Sequence, residues 1–81
     1  MKGIIVLANI NHGRHAAEMD DSEFIAFELV DSVELAPGTV FEANLRCHGR
    51  ETFRTADGKN FSVDIEILGT DRKTSCAWAS S

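Results

Sequence analysis

Two stretches of this chain alternate strictly between apolar and polar residues, and that period of two limits the fold more than any other feature. From Thr39 to Cys47, Phe41, Ala43, Leu45 and Cys47 alternate with Val40, Glu42, Asn44 and Arg46. From Phe61 to Leu68, Phe61, Val63, Ile65 and Ile67 alternate with Ser62, Asp64 and Glu66. Successive side chains of a strand point to opposite faces, so each stretch reads as a strand with one face in a core and one in water. Phe41, Leu45, Phe61, Val63, Ile65 and Ile67 are the expected core.

The intervals carry turn chemistry. Pro37-Gly38 presets one φ and relaxes the next, Asp57-Gly58 is a strong hairpin signal, and Asn11-His12-Gly13 tolerates positive φ. Ile4 to Ile10 is a β-branched apolar run suited to a buried strand, with Arg14 to Met19 as its return. Glu51 to Thr55 reads as a further short strand. Glu23 to Val30 fits a strand, with Ile25, Phe27 and Leu29 on one face. It also fits a helix capped by Ser22, and the flanking strands favour the first reading. Thr70 to Ser81 is small and polar apart from Trp78 and reads as a loose tail. The expectation is an all-β chain: a small five-stranded antiparallel barrel over residues 1–69, followed by a flexible C-terminal tail over 70–81.

With 81 residues there is room for one domain and none for a catalytic subdomain. Cys47 and Cys76 form no Cys-x-x-Cys pair. The apolar run after Met1 is too short for a signal core or a membrane span, so free thiols and a cytoplasmic setting are expected. His12, His15, Cys47 and His48 include residue types that bind zinc, but neighbouring positions on a strand point apart, so no metal site and no cofactor is expected. No nucleophile elbow, phosphate-binding glycine loop or paired-carboxylate signature appears, and the chain reads as non-enzymatic.

Charge is unevenly placed. Glu18, Asp20, Asp21, Glu23, Glu28, Asp31 and Glu34 follow one another with no Lys or Arg between them, a candidate face for a protein partner. Arg46, Arg50, Arg54 and Lys59 then reverse the sign, although the chain as a whole carries a net charge of −5. With Arg14, they form a candidate phosphate-tracking patch.

The strand and turn layout resembles the cold-shock branch of the OB-fold family. Lys2-Gly3-Ile4-Ile5-Val6 matches that family's opening strand, and Asn9 with His12-Gly13-Arg14-His15-Ala16-Ala17 stands where its Lys-Gly-Phe-Gly-Phe-Ile strand follows an Asn. Phe24-Ile25-Ala26-Phe27-Glu28 falls at its third strand, and Leu35-Ala36-Pro37-Gly38-Thr39-Val40-Phe41 at its Leu-x-x-Gly-x-x-Val-x-Phe. The resemblance spans roughly Lys2 to Leu45. It implies a barrel that binds single-stranded RNA or DNA by stacking bases on aromatic side chains of the second and third strands. Here Arg14, His15 and Ala16 replace the first aromatic cluster. The implied nucleic-acid-binding set is therefore Arg14, His15, Phe24, Phe27, Arg46, Arg54 and Lys59, with weak binding. Period two places Phe24 and Phe27 on opposite faces, so at most one of them is open to a base.

Overall fold

The computed structural model describes residues 1–45 and 48–81. The expected positions of Arg46 and Cys47 therefore lie outside the described residues. The chain runs β1 (Lys2–Asn9), β2 (Arg14–Met19), β3 (Phe24–Leu29), β4 (Val40–Glu42), β5 (Gly49–Thr55), β6 (Asn60–Thr70) and α1 (Arg72–Ser80). All strand pairs are antiparallel, and the sheet closes in the order β1-β2-β3-β6-β5-β4. The all-β antiparallel barrel expected from the alternation is present, with six strands rather than five. It consists of two three-stranded meanders joined where β1 meets β4 and β3 meets β6. Closure gives every strand two neighbours, with β1 meeting β4 over Lys2–Ile4.

The inward positions are filled mainly by aromatic rings. Phe41 and Phe53 stack at 4.8 Å between centroids, and Phe27 and Phe61 meet Phe53 edge-on at 5.2 and 5.6 Å. Ile5, Ala17, Met19, Ile25, Leu35, Val63 and Ile65 complete the core, with Leu45 packed against it. The strand reading of Glu23 to Val30 is the one the fold adopts. Gly3 stands where β1 passes the core most closely. A Cβ there would come within 2.6 Å of both Met19 Sδ and Phe41 Cζ, which explains a glycine inside a strand.

Three expectations are corrected. Ile67 is not an interior residue. Phe27 pairs with Ile65 and Ala26 with Ile67, so Glu66 is an extra residue that turns Ile67 to the outer side. Of the described residues between Thr39 and Leu45, only Val40–Glu42 are regular strand, although Ala43 N still donates to Met1 O at 2.8 Å. The segment 70–81 is not a loose tail: β6 reaches Thr70, and Arg72–Ser80 is a helix docked on the barrel. Asp71 caps that helix by accepting from Thr74 N at 2.7 Å, and hydrogen bonding from the Thr74 side chain and then its backbone holds the carboxyl below the ordinary aspartate range. A helix of 9 residues is marginal alone, so packing on β2 and β3 must supply most of its stability. No helix among the described residues is long and apolar enough to cross a membrane.

Candidate functional site

Docking of α1 decides which surfaces remain available. In β2, His15, Ala17 and Met19 face inward while Arg14, Ala16 and Glu18 face outward. In β3, Ile25, Phe27 and Leu29 face inward while Phe24, Ala26 and Glu28 face outward. Ala16 and Ala26 are fully buried although they point away from the interior, because α1 lies over them. Ser75 and Ala79 are the buried residues of the helix. Charges fasten both of its ends. Arg72 meets Glu18 at 3.6 Å and lies over the Phe24 ring at 5.0 Å. Arg14 lies over the Trp78 ring at 4.6 Å and donates to Trp78 O and to Ser81 Oγ, at 3.3 and 2.6 Å. Asn9 Nδ2 donates to Ala79 O at 2.9 Å.

The outer face of β2 and β3, which the cold-shock resemblance assigns to bases, is thus covered. Arg14 is engaged with α1, Phe24 is buried beneath Arg72, and Phe27 and His15 stack against each other inside the barrel at 5.4 Å and 7°. All five phenylalanines are buried. Arg54 and Lys59 are exposed on β5 and on the turn into β6. β2 and β5 are three strands apart around the six-stranded ring, so Arg14 and Arg54 do not share a face. The acidic run does not form one face either. Asp20, Asp21 and Glu23 lie in or beside the turn before β3, while Asp31 and Glu34 lie in the loop after it, at the other end of that strand.

The structure assembles a different basic surface. Lys2, Glu42 and Arg54 are lateral neighbours on β1, β4 and β5. They edge a hollow of about 370 Å³ that also includes Val40, Thr55 and Ala56. A second hollow of about 300 Å³ shares those last three residues and continues to Lys59 and Asp57. Arg50 is engaged elsewhere, donating from Nε to Asp64 Oδ1 at 2.7 Å, a contact that raises its pKa further. Among the described residues, Lys2, Arg54 and Lys59 enter no ion pair, and all three border this one groove. Three carboxylates temper it, one of them Glu34 at the edge of the second hollow. Glu42 sits between Lys2 and Arg54, and the Thr55 hydroxyl donates to Asp57 and holds that carboxyl below its ordinary range. Ile4 and Val40 are paired across β1 and β4 and remain 39% and 42% exposed beside the groove.

Lys2 is the groove residue that sequence reasoning missed, because nothing in a strand's own alternation tells which strand will lie beside it. His15, expected in the nucleic-acid-binding set, is buried, and period two, which groups it with Ala17 and Met19, is the signal that could have shown it. Among the described residues no three His, Cys, Asp or Glu side chains gather as a metal cage. Comparison with protein-family models, with curated proteins and with solved structures finds no match to this chain.

Proposed function

We propose that this barrel is a non-enzymatic binding module that holds single-stranded RNA or DNA weakly, through phosphates, in the groove over β1, β4 and β5. One observation carries the reading: Lys2, Arg54 and Lys59, exposed and unpaired among the described residues, converge on that groove. Phosphate tracking needs cations free of internal partners. With every phenylalanine buried, base stacking contributes nothing of the roughly 1–3 kcal/mol per base that an aromatic platform supplies. Binding is then sequence-independent and falls in the non-specific range, about 10⁻⁴–10⁻⁶ M. The cold-shock likeness extends in this proposal to the barrel and to the class of ligand, with the contact face moved. The free thiol of Cys76 suits a reducing compartment, so the cytoplasm is the proposed setting.

The test is an amide chemical-shift titration with oligo-U and oligo-dT at low salt. Shifts are expected at Lys2, Val40 and Arg54 through Lys59, with log K falling against log salt at a slope of about −2 for three phosphates. Reversing Lys2, Arg54 and Lys59 to Glu removes the response and leaves the fold intact. No shift at millimolar oligonucleotide, or binding unchanged by the triple reversal, refutes the proposal.

A second reading is favoured by the exposed Ile4–Val40 pair. Apolar side chains ringed by Lys2, Glu18, Glu42 and Arg54 form the apolar centre and charged rim of a protein-docking patch. Under that reading oligonucleotide leaves the groove signals where they are, and Val40→Asp weakens the partner's binding while the triple reversal changes mainly its rate of association.

A further inference from the structure

A third hollow opens near the β1–β2 turn and meets the groove only at Glu34. Its volume is about 280 Å³, and Ile10, Gly13, His15, Leu29, Val33 and Glu34 line it together with Asp31 and Ser32. His15 is the unusual member. It is only 1% exposed, and its Nε2 is the one buried side-chain polar atom among the described residues without a hydrogen-bond partner. Unpaired buried polar atoms are rare because each forfeits its hydration without return.

The other ring nitrogen fixes what the unpaired one offers. Nδ1 lies 3.2 Å from Gly13 O, and a carbonyl can only accept, so the proton sits on Nδ1. Burial lowers the imidazole pKa and keeps the ring neutral, with the Gly13 bond opposing in part. Nε2 is therefore a lone pair with no donor, on a ring held flat against Phe27. The rest of the lining narrows the ligand. Ile10, Leu29 and Val33 supply apolar wall, and Leu29 and Val33 pack back against the core. Both charged residues of the lining, Asp31 and Glu34, are acids, and no Lys or Arg borders the hollow. Asp31 already accepts from Ser62 N through one oxygen, at 2.6 Å. The volume is just below the usual range for small-molecule sites, about 300–1,000 Å³, and suits a single ring with a short polar head.

We propose that this hollow binds a small hydrophobic cation bearing N–H donors, of the aryl amidine or aryl amine class. The ring of the ligand lies against Ile10, Leu29 and Val33, one N–H donates to His15 Nε2, and the positive head faces Glu34 and Asp31. The site meets the groove only at Glu34, and His15, Leu29 and Val33 belong to the hollow alone, so the His15→Phe arm of its test is independent of nucleic-acid binding.

Benzamidine is the probe, and benzoate, with the same ring and an anionic acceptor head, is its control. Millimolar benzamidine is expected to give saturable amide shifts at Gly13, Leu29 and Val33. It should also move the His15 Nε2 nitrogen resonance in the direction of an accepted hydrogen bond. Benzoate should leave these signals in place. His15→Phe keeps a flat ring beside Phe27 and deletes the acceptor, and should weaken benzamidine by about tenfold, the value of one good polar contact. Glu34→Gln, at the exposed rim where folding is not at stake, should weaken it several-fold. Absence of any benzamidine response, an equal response to benzoate, or unchanged affinity in Glu34→Gln together with a stationary Nε2 resonance would each overturn the proposal.

Discussion

Phe53→Ala tests the barrel's interior at its most connected ring. Phe53 is fully buried, stacks on Phe41 at 4.8 Å and 9°, and meets Phe27 and Phe61 edge-on. Burying a phenylalanine is worth about 1.5–3 kcal/mol. Truncation adds the unfilled cavity, for a total of about 3–5 kcal/mol. A chain of 81 residues has about 4–12 kcal/mol of stability in all. The variant should therefore lose about a quarter or more of that stability, and at the lower end of the range it unfolds at room temperature. Phe53→Leu keeps most of the apolar volume and loses the ring pairs, each worth about 0.5–1.5 kcal/mol, so it should fold with a visibly lower midpoint. Urea unfolding read by Trp78 fluorescence and by far-ultraviolet dichroism measures both. Trp78 sits on α1 against Arg14, so its signal reports helix docking while dichroism reports the sheet. A Phe53→Ala cost below about 1 kcal/mol would refute the packing argument, since no fully buried ring can be removed that cheaply.

Gly3→Ala should cost about 1–3 kcal/mol, measured by the same urea curves, because Met19 can swing aside and Phe41, locked in its stack, cannot. The pH dependence follows from His15. Its pKa is lower folded than unfolded, so the unfolded chain binds the extra proton. Stability is complete above the ordinary imidazole value near 6.5 and declines as pH falls through it toward the folded value. His15→Phe should remove that part of the slope in unfolding free energy against pH, and an unchanged slope would assign it to other groups. Trp78→Ala should undock α1 with the barrel intact, seen as fast amide exchange over Arg72–Ser80 and at Ala16 and Ala26, while protection at Val63 and Ile65 is retained.

The sequence announced its strands through alternation and its turns through glycine. Gly13, Gly38 and Gly58 all take positive φ at positions where Asn-His-Gly, Pro-Gly and Asp-Gly mark turns. It did not announce where alternation would slip. Glu66 looks like any outward residue of a regular strand, and only the register against Ala26 and Phe27 shows it to be the extra one that turns Ile67 out. The helix was hidden for a different reason. Arg72–Ser80 is too short and polar to be read as a helix on its own terms, and what stabilises it is a seat built elsewhere. That seat left a trace. Ala16 and Ala26, at outward positions of adjacent strands, are small because a helix must approach them closely. Judged against a cold-shock barrel Ala16 is a missing aromatic, whereas packing makes it and Ala26 the floor under α1. The scattered site residues follow from the same limit. Spacing along the chain places Arg14 and Arg54 on outward positions, but only the order of strands around the ring sets them far apart.

Closure and helix docking together narrow where this chain can bind anything. A closed ring leaves little edge for strand addition, and α1 occupies the broad face of β2 and β3. The groove over β1, β4 and β5 and the hollow near His15 are then two surfaces with unpaired polar groups at hand, meeting at Glu34 and differing in that the groove alone carries cations. The groove sets the cations Lys2, Arg54 and Lys59 among Glu34, Glu42 and Asp57, while the charged lining of the hollow is Asp31 and Glu34 alone. A polyanion gains from the first and is repelled from the second, and a small cation does the reverse. At a net charge of −5 the field of the whole chain works against the polyanion and in favour of the cation. Raising salt should accordingly weaken oligonucleotide binding much more steeply than benzamidine binding. The first sheds several counterions on contact, and the second rests largely on apolar burial and one short-range hydrogen bond.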